Sequence, residues 1–159
     1  MKKYKTGLIM GRFQPFHKGH LFLLLQSLCV SGTIIIGVGS INKKDLDNPY
    51  SFKIRKKMIM EAVKTEKLEN RVKKIVAVKD IPDDDEWFRN VLKKTGSIDV
   101  VIGNNDWVNG IFKNAGYNVL KIPFLKRDFY EGKKIRSRMR NNKEWKDRVP
   151  LYISRLIEK

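Results

Sequence analysis

The stretch "KTGLIMGRFQPFHKGHLFLLL" (5–25) runs from an apolar segment of strand length, through a short loop, into a long apolar segment of helical length. The rest of the chain repeats that alternation. Further apolar, β-branched runs stand at 33–39 ("TIIIGVG"), 73–78 ("KKIVAV"), 98–103 ("IDVVIG") and 117–122 ("YNVLKI"). Being almost continuously apolar, they suit strands of a parallel sheet buried on both faces.

Between the strands, helical spacing covers 19–31, 51–66, 84–95 and 104–115. Ser51 precedes one helix, the acids Asp83, Asp84 and Asp85 open another, and Gly116 closes a fourth. Alternating strand and helix predicts an α/β fold, a Rossmann-like doubly wound parallel sheet. After Pro123 comes a basic loop, "FLKRDFYEGKK", then short C-terminal helices at 133–141 and 150–158, with Pro150 at a first helical turn. The length suits a single domain spanning 1–159. In such a sheet, ligands bind beyond the carboxyl ends of the strands, so the loops at 11–20, 40–50, 79–87, 103–107 and 123–135 should line one site.

The charge points to anions. Thirty-four Lys and Arg against 17 acids give a formal net charge of +17 and a pI near 10, which favours nucleic acid, phosphate ligands or an acidic surface. The lone Cys29 excludes an intrachain disulfide and suits a reducing cytosol; inside "LFLLLQSLCV" it reads as a small buried hydrophobe. "MKKYK" is followed by too short an apolar run for a signal peptide, and no run reaches the roughly 18 residues of a membrane span. These features predict a soluble, cytoplasmic protein with no membrane partner.

Several phosphate-binding patterns are missing. There is no GxxxxGK[ST], "GVGSIN" lacks the third glycine of the dinucleotide fingerprint, and there is no GxSxG elbow. His17 and His20 are the chain's only histidines and have no partners for a zinc site. They flank Lys18 and Gly19 at a helix start, where free backbone N–H groups, the helix dipole and Arg12 make an anion site.

"GRFQPFHKGH" resembles the GRFQPFHxGH motif of the HxGH nucleotidyltransferase superfamily, and within it the archaeal-type nicotinamide-nucleotide adenylyltransferases. The resemblance continues through "IIIGVGS", "NPYSFKIR", "DEWFRNVL", "VVIGNN" and "YEGKKIRSRMRNNKEWKDRVP", covering about residues 5 to 150. Where the family block begins Ser-Gly-Thr, this chain has Glu131, Gly132 and Lys133.

The resemblance implies adenylyl transfer from ATP to the 5′-phosphate of nicotinamide mononucleotide, with nicotinic acid mononucleotide as another acceptor. It implies that His17, His20 and Arg136 act on the ATP phosphates. Gly11, Arg12, Phe13, Gly103, Asn104, Arg127 and Lys133 join them in binding ATP. Mg²⁺ is expected to accompany ATP, with no protein ligand assigned. Trp87 matches the family position that stacks on nicotinamide, with Asp80 beside it; ordinary helix packing is the plain reading of Trp87. Arg55 sits in an apolar stripe with Phe52, Met58, Ile59 and Ala62, either reaching a mononucleotide phosphate or snorkelling at the helix edge. "GNN" at 103–105 also fits a strand-to-helix turn with Asn as N-cap. The apolar helix "LFLLLQSL" suggests a homo-oligomer, and the resembled enzymes are hexamers.

Two other functions compete. Clusters such as "KIRKK" and "KKIRSRMR" could track a nucleic-acid backbone, but the aromatics are not interleaved with them as a stacking platform needs. A sister transferase could use flavin mononucleotide or phosphopantetheine as acceptor, an option that Glu131 and Lys133 keep open.

Overall fold

The computed structural model describes residues 2–158, so the end residues of the expected 1–159 unit lie outside it. Five parallel strands form one sheet: β1 (Tyr4–Gly11), β2 (Ser31–Val38), β3 (Val72–Ala77), β4 (Val100–Ile102) and β5 (Asn118–Leu120), in the order β3-β2-β1-β4-β5. The helices are α1 (Lys18–Val30), α2 (Phe52–Thr65), α3 (Asp84–Thr95), α4 (Asp106–Asn114), α5 (Arg127–Tyr130), α6 (Gly132–Arg140) and α7 (Leu151–Ile157). This is the expected Rossmann-like sheet. The region read as a basic loop contains α5, and a short 3-10 turn (Lys146–Arg148) precedes α7.

Successive side chains of β2 divide between two cores. Ile34, Ile36 and Val38 pack with Leu24, Leu28, Met58, Ile59 and Ile153 from α1, α2 and α7. Ile35 points the other way, with Leu8, Val91, Val101, Val108 and Phe112 beneath α3 and α4. Cys29 is exposed rather than buried, because α1 turns Leu24, Ser27 and Leu28 inward and leaves Cys29 outside that stripe.

Strand order runs outward from β1 in both directions, since β1 pairs with β2 on one side and β4 on the other. The loops leaving β1 and β4 therefore diverge and open a crevice at the carboxyl edge, which is where the site lies.

Candidate active site

The loop after β1 is built around its two histidines. His17 is the N-cap of α1: its Nδ1 accepts the His20 backbone N–H at 3.3 Å, while the Nδ1 of His20 accepts the His17 N–H at 3.1 Å. The three-residue spacing is that of a reciprocal capping box, with imidazoles in place of a hydroxyl and a carboxylate. The rings stack with centroids 3.7 Å apart, and the Phe13 ring lies 4.6 Å from that of His20. Gly19 is required by this packing, because a Cβ there would stand 2.8 Å from Cε1 of His17.

The cap also fixes the protonation state. Burial, with the Arg136 charge adding to it, pushes the His17 pKa from 6.5 down to about 3. Burial and then His17 hold His20 well below its ordinary value. Both rings are neutral near pH 7, and since each Nδ1 accepts, each Nε2 carries the proton. The loop offers two N–H donors of fixed tautomer rather than two cations.

Two adjoining cavities, of about 510 and about 320 Å³, open at this loop. Arg12, His17, His20, Arg127, Glu131 and Gly132 line both. Asn104 lines the larger, and its Oδ1 is buried without a partner. Phe13, Lys133 and Arg136 line the smaller. Gly132 leaves room for the Arg136 guanidinium, whose Nη1 lies 2.9 Å from where a Cβ would stand. The result is a cradle of guanidinium, ammonium and neutral N–H groups suited to a polyphosphate.

Other expected residues lie elsewhere. Gly11 ends β1 and Gly103 follows β4, but neither lines these cavities; Gly103 donates to Leu120 O and accepts from Asn109. Arg55 is 0% exposed, so it does not snorkel. Its Nη1 donates to Arg12 O at 2.9 Å and Gly39 O at 2.6 Å, tying the ends of β1 and β2 together, while Nη2 is buried without a partner. Asp80 accepts from Ser40 Oγ at 2.9 Å, and its backbone pairs with Asn42. Trp87 is 2% exposed, against Phe112 and with its ring centroid 4.7 Å from that of Trp107; the indole open to solvent is Trp107, at 48%. None of Arg55, Asp80 and Trp87 lines either cavity. The cap of α4 is Asn105, not Asn104: its Oδ1 accepts from the N–H groups of Trp107 and Val108.

A buried linker was missed in the sequence. The Gln14 side-chain amide pairs in both directions with the Tyr50 backbone, at 2.9 and 2.8 Å, and the Gln14 backbone carbonyl accepts from Arg136 Nη1 at 2.9 Å. One residue of the quoted motif thus joins its own loop to the loop at Tyr50 and to α6, a role its polarity alone did not signal. Asp47, which reaches Arg136, was missed as well.

Residues 8–148 match the cytidylyltransferase-like family. A nicotinamide-nucleotide adenylyltransferase from Methanococcus aeolicus is 36% identical over 95% of this chain and 87% of its own. The chain belongs to the nicotinamide-nucleotide adenylyltransferase family. Another member of that family, from Thermoplasma acidophilum, is 33% identical over 98% of this chain and 87% of its own. A crystal structure of a bifunctional NMN adenylyltransferase/ADP ribose pyrophosphatase from Francisella tularensis, complexed with AMP and a manganese ion, superposes with a TM-score of 0.76 at 26% identity. That match covers 92% of this chain and 44% of the other, so the present chain spans less than half of the bifunctional protein. Within the adenylyltransferase family fold, the paired histidines and the cavities they line sit at the diverging ends of β1 and β4.

Proposed function

We propose that this chain transfers the adenylyl group of ATP to the 5′-phosphate of nicotinamide mononucleotide, giving NAD and pyrophosphate. A 5′-phosphate oxygen bonds to the α-phosphorus as the bond from that phosphorus to the bridging oxygen breaks, and the electron pair leaves with pyrophosphate. No general base is needed, because a phosphate monoester with a second pKa near 6 is already mostly dianionic at pH 7. Positioning and charge stabilisation are the protein's part.

The observation that carries this reading is the reciprocal histidine cap. It supplies neutral Nε2–H donors beside Arg12, Arg127, Lys133 and Arg136, without the desolvation of two further cations. Mg²⁺ enters as part of the MgATP substrate. Among the described residues no group of three or more His, Cys, Asp or Glu could hold a metal, and a hydrated Mg²⁺ held mainly by phosphates needs few protein ligands. Family position assigns Asp80, whose side chain is exposed, to the mononucleotide, and Gly11 and Gly103 to the nucleotide through the backbone; Arg55 and Trp87 share the mononucleotide assignment by position but are buried here and would have to be uncovered to touch it. Nicotinic acid mononucleotide is a second acceptor to test.

We place the chain in the cytoplasm. The exposed thiol of Cys29 supports a reducing compartment, and among the described residues no helix is long and apolar enough to cross a membrane. A homo-oligomer, hexameric by the sequence resemblance, is the proposed assembly.

Incubation with MgATP and nicotinamide mononucleotide should yield NAD and pyrophosphate in equal amounts by chromatography. His20→Ala should lower turnover by about a hundredfold or more, as loss of one preorganised donor does. No NAD from folded protein that binds ATP would move the assignment to another acceptor, with flavin mononucleotide and phosphopantetheine tried next.

A further inference from the structure

Two carboxylates, Asp47 and Glu131, line the smaller cavity among its cations. Asp47 is held there by a turn: the Asp45 carboxylate accepts from the N–H groups of Asp47 and Asn48 and from Asn48 Nδ2, all at 2.9 Å. From that turn Asp47 Oδ1 reaches Arg136 Nη2 at 3.2 Å. The two ends of the pair differ sharply, for the Arg136 side chain is 5% exposed and that of Asp47 is 61% exposed.

The hydrogen bonds of Arg136 are incomplete in one direction. Nη1 donates to Gln14 O, Nη2 to Asp47, and Nε is buried with no partner. Nε and Nη2 form one edge of the guanidinium, the pair of parallel N–H groups that grips a carboxylate or phosphate bidentately. Asp47 takes one of them and leaves the other without an acceptor. A phosphate with two oxygens on that edge would satisfy both, and the solvent-facing Asp47 is free to turn into water.

We propose that Asp47 is an internal counter-anion that holds the Arg136 edge in the free protein and is displaced by the phosphate chain of the substrate. It thereby acts as a specificity-determining residue. A ligand must carry enough charge to displace a carboxylate, so di- and triphosphates are held there in preference to a single phosphate. This rests on the reading that Arg136 grips ATP phosphates.

Calorimetric titration with pyrophosphate, ATP and orthophosphate, without Mg²⁺ and at 0.15 M salt, tests the idea. Asp47→Asn keeps the side-chain shape and removes the charge. It should tighten pyrophosphate about fivefold, the upper range for a partly exposed ion pair, and narrow the preference for pyrophosphate over orthophosphate. Glu131→Gln, which removes a carboxylate that does not bond Arg136, should change affinity by less. In an Arg136→Lys background, where the paired edge is gone, Asp47→Asn should change affinity less than twofold.

Weaker pyrophosphate binding by Asp47→Asn would overturn the proposal, making Asp47 a ligand or a structural tie. Equal tightening by Glu131→Gln would overturn it too, since a general field would then explain the effect. Unaltered binding by Asp47→Asn, with ATP still bound by the wild type, defeats this proposal alone. A wild-type protein that binds neither ATP nor pyrophosphate defeats the adenylyltransferase reading along with it.

Discussion

His17 meets two demands that normally conflict, since it caps a helix, which needs an acceptor, and lines a cavity among guanidinium and ammonium groups, where the proposed phosphate chain needs a donor. A neutral imidazole meets both, with Nδ1 accepting and Nε2 donating, and neutrality is enforced by burial beside Arg136. The energetic consequence appears in acid. The unfolded chain protonates His17 near 6.5 and the folded one only near 3, so between these values the unfolded state binds the extra proton. Stability contributed by the neutral ring is complete above about 6.5, falls by about 1.4 kcal/mol per pH unit below it, and levels off near 3. His17→Asn keeps an N-cap acceptor and removes the titration. Urea unfolding from pH 6.5 to 4.5 should therefore show a shallower loss of stability in this variant, by up to about 1.4 kcal/mol per unit. Equal slopes would mean that His17 titrates normally in the folded protein. That the pair stands at a helix start was legible in the sequence, but the reciprocal cap was not, because it depends on rings stacked at 3.7 Å that spacing alone does not specify.

At the level of elements, α3 began where its acids placed it, with Asp83 as cap, and α2 opened on Ser51. Local hydrogen bonding decides such ends, so sequence suffices. The turn after β4 was harder, because Asn104 and Asn105 are chemically identical and only the path of the chain separates their roles. Asn105 opens α4 as its N-cap, whereas Asn104 leaves a buried, unpartnered Oδ1 beside the larger cavity. The two should separate by experiment. Asn105→Ala should lower stability by about 1 kcal/mol in urea unfolding, the usual effect of losing an N-cap. Asn104→Ala should leave stability within about half that figure and weaken ATP binding in calorimetry. The reverse pattern would exchange the assignments. Arg55 and Trp87 were ambiguous for a related reason: each lies on a helix face that sequence marks as inward, but whether inward means core or ligand depends on the opposite wall. For Arg55 that wall is carbonyl oxygens, and for Trp87 it is Trp107 and Phe112.

Across the whole molecule, the +17 charge exceeds what the site uses. Part of it lies between α2 and the edge strand β3, where Lys53, Lys56, Lys57, Lys64 and Lys73 surround a groove of about 810 Å³ with Met60 and Ile75 on its lining. Lysines beside an open edge keep another chain from pairing with it. That same charge bears on the proposed assembly, because copies carrying +17 repel one another while the half-buried Leu21 and Phe22 and the exposed Leu25 of α1 favour association. The balance depends on salt: the screening length is about 30 Å at 0.01 M and about 8 Å at 0.15 M. Association driven by apolar surface should therefore strengthen as salt rises, the opposite of binding to an acidic partner. Light scattering should give a mass that is a multiple of 18.6 kDa at 0.15 M salt and falls toward 18.6 kDa at 0.01 M. Leu25→Lys, which puts a charge on the exposed face of α1, should hold the chain near the single-chain mass at both. A single-chain mass at every salt concentration would rule out the oligomer, and an unchanged assembly in Leu25→Lys would move the interface away from α1.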